Sequence, residues 1–255
     1  MKILITNDDG IHAQGLHCLA ETLAACHEVY VVAPDTEKSA SSASITLRYP
    51  LKVKEFTPAS QTAVKKFFHV NGMPADCAKI ALGVILAENK PDMLISGINH
   101  GENMGVDIRY SGTVAAAFEG LFFAIPSLAV STATFSSNPK YSTAAKFIFD
   151  NIEKLRARCH EFGTNCVLNI NVPSVESSAI KGSKITRVNN FRYRDDYKAI
   201  SDPSSFVHYW LSGHKEKIES DENTDLIAVQ NGYVSITPLK IDMTDLKALE
   251  TFKSL

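Results

Sequence analysis

The chain has 255 residues, 45% of them hydrophobic and 21% charged, which is enough apolar material for a large α/β core without staples. A formal charge of -2 supplies no positive field, so a nucleic-acid duplex or an anionic membrane is set aside as the main partner and small molecules remain open. Five scattered cysteines (Cys18, Cys26, Cys77, Cys159, Cys166) form no C-x-x-C pair, which argues against a zinc ribbon or dithiol centre and for reduced thiols in a cytoplasmic protein. No run approaches the roughly 20 apolar residues that span a bilayer, and no leader pattern is visible.

In chain order, residues 2–6 (KILIT) read as a buried strand, and Leu16, Leu19, Ala20 and Leu23 then fall on one helical face. Val29 to Ala33 is a second strand, closed by Pro34, and the two strands with their helix form a right-handed βαβ unit. His69-Val70 and the turn Asn71-Gly72-Met73-Pro74 lead to Asp76 as a predicted N-cap, with Cys77, Ile80, Ala81 and Val84 on one face of the helix behind it. Met93 to Ser96 is the next buried strand. A long loop (97–112), a small-residue helix (Thr113 to Phe123), a strand (Ser127 to Val130), a helix (Tyr141 to Leu155) and a strand (Val167 to Val172) follow. This alternation predicts an α/β fold with a doubly wound, mostly parallel, Rossmann-like sheet over 1–173. Beyond Pro173 the segments are β-rich, and Asn231-Gly232 between two alternating runs predicts a type I′ hairpin. Residues 174–255 are therefore expected to form an antiparallel β extension or swapped arm that serves oligomerisation, not an independent domain.

Ligands of open parallel sheets bind outside the carboxyl ends of the strands. Three polar loops meet that condition, carrying Asn7, Asp8, Asp9 and Gly10, then Asp35, Lys38 and Ser39, then Asn99 and Asn103. Adjacent carboxylates repel each other, and with hydroxyl and amide oxygens they make a hard donor set suited to Mg²⁺, Mn²⁺ or Ca²⁺. The competing reading is a helix cap, which needs only one carboxylate. Ser111, Gly112 and Thr113 precede an Ala-rich helix, an arrangement that suits either a phosphate or a plain cap. Cation and anion sites together suggest cation-assisted phosphoryl transfer. His100 is a candidate acid or base weighed against a hydrogen-bonded surface histidine. Arg192 and Arg194 of "FRYRDDY" are weighed as contacts to a base or second phosphate against an interface loop. Tyr209 and Trp210 read as packing residues.

The stretches "ILITNDDGI", "VVAPDTEKSASSASIT", "VNGMPADCAKIAL", "PDMLISGINHGENMGVDIRYSGTVAAAFEG" and "YVSITPL", in this order, resemble the SurE family of 5′/3′-nucleotidases. The resemblance implies a phosphatase that hydrolyses nucleoside monophosphates with cation-activated water, one divalent cation (Mg or Mn) per subunit, and a homodimer or homotetramer. It places the cation on Asp8, Asp9, Ser39 and Asn99, and turns Asn103, Ser111, Gly112 and Thr113 toward the phosphate, with Asp8 orienting the water. The sequence departs from the family at 38–40, where Lys-Ser-Ala stands for the commoner Arg-Ser-Gly; Lys38 loses bidentate geometry and Ala40 loses backbone freedom. A haloacid-dehalogenase-type phosphatase is disfavoured because Asn7 occupies the nucleophile's place. A receiver-like or other non-catalytic metal- and nucleotide-binding module is the alternative that a phosphate-release assay separates.

Overall fold

The computed structural model describes residues 1–134, 136–161, 163–202, 206–216 and 221–252. The first βαβ unit forms as the periodicity predicts: β1 (Lys2–Thr6), α1 (Gln14–Ala24) and β2 (Glu28–Pro34), with Pro34 ending the ladder. Next come β3 (Val53–Phe56), β4 (Lys66–Val70), α2 (Pro74–Ile80), β5 (Met93–His100), α3 (Gly112–Phe122), β6 (Ser127–Ala133), α4 (Tyr141–Glu161) and β7 (Cys166–Pro173). The last third adds β8 (Ser183–Ile185), β9 (Arg192–Ser201), β10 (Val207–Glu216), α5 (Asp225–Gln230), β11 (Val234–Lys240) and α6 (Leu246–Thr251).

Nine strands form one sheet in the order β3-β4-β2-β1-β5-β6-β7-β11-β8. The run from β4 to β7 is parallel, and β3 and β11 add antiparallel pairs. The chain builds outward from β1 through β2 and β4, then returns to β5 on the other side of β1. The topological switch point therefore lies between β1 and β5, where such sheets open a crevice.

Alternation along each strand divides the core. Ile3, Ile5, Val31 and Ile95 face α1 and α4, meeting Leu16, Leu19, Leu23 and Ile148. Leu4, Val32, Leu94 and Ala129 face α2 and α3, meeting Ala78, Val114 and Ala117. Each fully buried Leu, Ile or Val contributes roughly 1.5–3 kcal/mol, so the two layers hold the strand ends rigidly enough to position a site.

Four local expectations are corrected. Asp76 is not the N-cap: Met73 is, and Asp76 lies three residues on, where its carboxylate accepts the Met73 N–H at 2.9 Å and the Thr46 N–H at 3.0 Å. Val84 lies in a widened helical turn, Ala81–Ile85, which rotates it out to 67% exposure. The 97–112 loop is partly regular, because β5 continues to His100 and Gly105–Tyr110 forms a short 3-10 turn. Asn231-Gly232 is no hairpin turn. Residues 225–230 are helical, Asn231 is the C-cap, and Gly232 at φ 84° leads into β11. The short apolar run there fits either period. The buried Asp225 carboxylate decides for the helix by taking the N–H of Leu226 at 2.7 Å, and Ile227 and Ala228 are buried.

β8 and β11 extend the main sheet, whereas β9 and β10 form a separate two-stranded antiparallel ribbon from Arg192↔Glu216 to Ser201↔Val207. All five cysteines are free thiols. Among the described residues no helix is long and apolar enough to cross a membrane.

Candidate active site

Asn7 is fully buried and ties the turn after β1 from both sides: its Nδ2 donates to Gly10 O at 3.0 Å and its Oδ1 accepts the Gly10 N–H at 3.2 Å. That turn presents Asp8, 5% exposed, and Asp9 at the switch point. Three other segments converge on the pair. The Lys38 N–H, after β2, donates to Asp8 O at 2.7 Å; the His100 N–H, at the end of β5, donates to Asp9 Oδ2 at 3.0 Å; the Thr113 hydroxyl, in the first turn of α3, donates to Asp8 Oδ1.

The electrostatics follow from this burial. Loss of water pushes the Asp8 carboxyl above its ordinary value, against the stabilising Thr113 bond. Burial, with the Asp8 charge next to it, raises Asp9 from 3.8 to about 6. Lys38, the cation on the loop whose N–H reaches Asp8, turns its ammonium to Asp35 at 3.9 Å and Thr36 Oγ1 at 3.0 Å. No ion pair is made by Asp8 or Asp9 among the described residues, so a buried carboxylate and a half-buried one stand side by side without a salt-bridging cationic side chain.

Ser39 lies on the loop after β2 and Asn99 near the end of β5, each next to the residue whose N–H reaches the pair. Ser39 is exposed and donates to the Glu37 carboxylate at 2.5 Å. Asn99 is half-buried and donates to Gly101 O at 2.9 Å. The β5–β6 register shifts between Ser96 and Asn99, an irregularity that re-aims the strand end, and a Cβ on Gly97 would stand 2.2 Å from Val130 O. The described residues hold no group of three or more His, Cys, Asp or Glu placed for a metal. Asp8, Asp9, Ser39 and Asn99 offer two carboxylates, a hydroxyl and an amide, all hard oxygens, a donor chemistry that fits a divalent cation of the Mg or Mn kind better than zinc.

The loop after β2 reaches the other half of the site. Ser42 N–H donates to Tyr110 O at 3.0 Å and its hydroxyl to Arg109 O at 2.8 Å. Gly112 packs so closely there that a Cβ would meet Ser41 Oγ at 2.7 Å and Asp8 Cβ at 2.9 Å. Ala40 holds φ at 56°, a left-handed conformation that costs a residue with a Cβ about 1 kcal/mol. The Ala40→Gly variant relieves that strain and loses roughly 0.5–1 kcal/mol to added chain entropy. Its melting temperature is therefore expected to stay within a few degrees of wild type. A large drop in calorimetry would show that the Ala40 methyl group contributes packing instead.

Ser111 caps α3, its Oγ accepting the Val114 N–H at 3.0 Å, so the cap reading applies to this hydroxyl. The cap leaves the first-turn amides and the positive end of the helix beside Asp8, joined through Thr113. Asn103 is 6% exposed, with its backbone and side chain bonded to Ser131, Asn169 and Asn171. Sequence reading missed these three residues and also Ser41 and Asp225. One signal was available: the strand "CVLNINVP" alternates two asparagines into a run that is otherwise apolar and fully buried.

Beside Asp9, a cleft of about 240 Å³ is lined by Gln14, Glu37, His100 and Tyr141. His100 is exposed and lies 3.1 Å from Ser136 O through Nε2. Burial and the neighbouring Asp9 push the Tyr141 hydroxyl up to about 12, so it stays a donor at neutral pH. Arg192 and Arg194 are exposed on β9, with Arg194 4.0 Å from Glu216 across the ribbon; the neighbouring aromatics and Lys215 on β10 tie the base of the ribbon to the body of the chain. Tyr193 OH donates to Asp107 at 2.9 Å, and the Lys215 ammonium lies 3.0 Å from Glu102, 3.3 Å from Asp107 and 4.6 Å from the Phe191 ring centre. Burial alone would lower Lys215, but the bond to Glu102 and the nearby Asp107 lift it above its ordinary value. The Lys215→Met variant leaves Glu102, 7% exposed, without this cation and is expected to cost about 2 kcal/mol. An unchanged denaturation midpoint would refute the clasp. Tyr209 and Trp210, read as packing residues, are 67% and 70% exposed in the single chain.

The family described as survival protein SurE matches residues 3–195 of the chain. The 5′-nucleotidase SurE of Thermosipho africanus is 46% identical over 253 residues, 98% of this chain and 96% of that protein. The 5′-nucleotidase SurE of Alkaliphilus metalliredigens is 41% identical over 258 residues, 100% of this chain and 98% of that one. The crystal structure of the SurE protein from Aquifex aeolicus is similar with a TM-score of 0.83 at 38% identity, covering 99% of this chain and 98% of that chain.

Proposed function

Because this chain belongs to the survival protein SurE family, we propose that the switch-point cluster is a nucleotidase centre that hydrolyses nucleoside 5′- and 3′-monophosphates with one divalent cation, Mg or Mn, per subunit. That the protein is a nucleotidase follows from family membership, with relatives of that name along almost its whole length. The observation that carries the site assignment is the Thr113–Asp8 hydrogen bond, which joins a helix N-terminus suited to phosphate with a carboxylate pair suited to a cation.

Asp8, Asp9, Ser39 and Asn99 would hold the cation. Once bound it offsets phosphate charge and acidifies water. The chain's own residues do the rest. Asp8 is fixed in orientation by Thr113 and by the Lys38 amide on its carbonyl. The first-turn amides of Gly112 and Thr113 direct N–H dipoles at the place where a phosphate would sit, and such donors gain strength where charge builds up in the transition state. Asn103 Nδ2 spends one hydrogen on Ser131 and keeps the second for a phosphate oxygen. Gly112 lets the backbone come this close.

Residues 1–173 carry this catalytic core. The ribbon β9–β10, with exposed Tyr197, Tyr209, Trp210 and Leu211, supports a homodimer or homotetramer, because a lone hairpin is marginally stable in water. A cytoplasmic location suits the free thiols. The test is phosphate release from AMP and GMP by purified protein, first with EDTA and then with Mg²⁺ or Mn²⁺. Turnover that vanishes with EDTA and returns with the cation supports the reading. Turnover indifferent to EDTA overturns the cation's role, and folded protein that releases no phosphate with any cation overturns the site.

A further inference from the structure

Asn103 is held along its whole length by side chains of the sheet floor. Its N–H donates to Asn171 Oδ1 at 2.8 Å, and its carbonyl accepts from Asn171 Nδ2 at 3.1 Å and from Asn169 Nδ2 at 2.8 Å. Its own Nδ2 donates to Ser131 Oγ at 2.8 Å. Ser131, Asn169 and Asn171 are all fully buried, and Ser131 pairs in register with Asn171 across β6 and β7. Resting on the reading of Asn103 as a phosphate donor, we propose that Asn171, assisted by Asn169 and Ser131, is a positioning residue of the nucleotidase: it fixes the peptide of Asn103 so that its amide meets the phosphate.

The chemistry singles out a carboxamide. Asn171 gives and takes one hydrogen bond in a fixed plane, the two-point pairing that a neighbouring strand would offer the Asn103 backbone. Alternate residues of β7, Leu168, Ile170 and Val172, pack in the apolar layer on the α4 side. Asn169 and Asn171 project on the opposite face, where the buried neighbour Val167 is apolar. Valine or leucine at 169 and 171 would fill that face with no polar group to desolvate, and a buried amide left unbonded costs about 1–3 kcal/mol. Asn169 bears part of that cost, because its Oδ1 is buried with no partner among the described residues. The asparagines are accounted for by the loop residue they bond, and a displacement of about 1 Å at a reacting centre reduces rates by as much as about a hundredfold.

The test is kinetic and uses the intact enzyme with AMP and saturating Mg²⁺ or Mn²⁺. The Asn171→Ser variant should lower kcat by about ten- to a hundredfold and change KM by less than about threefold. Combined with Asn103→Ala it should lower kcat less than about twofold further, because the group through which Asn171 acts is gone. A purely structural role moves melting temperature and would multiply the two losses. Wild-type kcat in a folded Asn171→Ser protein, or multiplicative losses, overturns the proposal. If Asn171→Ser does not fold, Ser131→Ala decides in the same cycle, since it removes only the hydroxyl that takes Asn103 Nδ2. Near-wild-type kcat in Asn103→Ala itself marks failure of the phosphate-site reading, a pattern distinct from a silent Asn171 variant beside a damaged Asn103 one.

Discussion

The Asp8→Asn variant is expected to lose cation-dependent turnover to below about a tenth of the wild-type rate, since removing a carboxylate that holds the cation withdraws several kcal/mol of transition-state stabilisation. Its fold should survive. Asparagine has the shape of aspartate, and its Oδ1 can still accept the Thr113 hydroxyl that reaches Asp8 in the wild type. The second half of the expectation has the opposite sign. Asp8 is buried, stands beside Asp9 and is raised above its ordinary value by burial, so its ionised form costs the cation-free protein free energy at neutral pH. Asparagine removes that charge. In EDTA the variant should melt at or above the wild-type temperature, whereas added Mg²⁺ or Mn²⁺ should raise the wild type alone, by about 2.7 kcal/mol at a hundredfold excess over Kd. Retained turnover, or a variant less stable than wild type in EDTA, contradicts Asp8 as a cation ligand held at a cost to folding.

The division between what the sequence discloses and what it hides follows from range. β1, α1 and β2 are set by local periodicity and by Pro34, so their positions and the placing of Asp8 and Asp9 are readable from residues 2–34. Asn231-Gly232 shows the limit: the dipeptide carries a hairpin signal, but Asp225, bonded to Gly105 and Asn189 at 2.9 Å each, fixes a helix before it through contacts 120 and 36 residues away. The clasp on Asn103 is of the same kind. Asn169 and Asn171 lie 66 and 68 residues from the loop they bond, so the sequence shows two asparagines in an apolar strand without showing their partner. Ser39 and Asn99 were legible as hard donors at strand ends, but not their bonds to Glu37 and Gly101, which depend on how each loop closes.

Acid titration in the absence and presence of a divalent cation should separate the Asp pair from every other carboxylate. Asp9 is raised from 3.8 to about 6 by burial and by the Asp8 charge, so between those values the folded chain binds more protons than the unfolded one. Its contribution to stability is therefore fully present below 3.8 and is lost as pH rises to about 6, a change of at most about 3 kcal/mol. Asp8 acts in the same direction, as does Asp225, which burial also raises and which wild type and the Asp9→Asn variant share. Asp221 and Asp242 act in the other, because the Asn223 amide and then Arg187 hold the first low, and Thr244 holds the second low. The measurement is accordingly a difference: urea midpoints of wild type and Asp9→Asn from pH 4 to 7.5, in EDTA. Wild type should fall relative to the variant as pH rises. With saturating Mg²⁺ the relation should invert, since the cation binds the ionised pair and only wild type offers both carboxylates. Parallel EDTA curves would show that Asp9 ionises without strain, and parallel curves that persist with Mg²⁺ would remove the cation from the pair altogether.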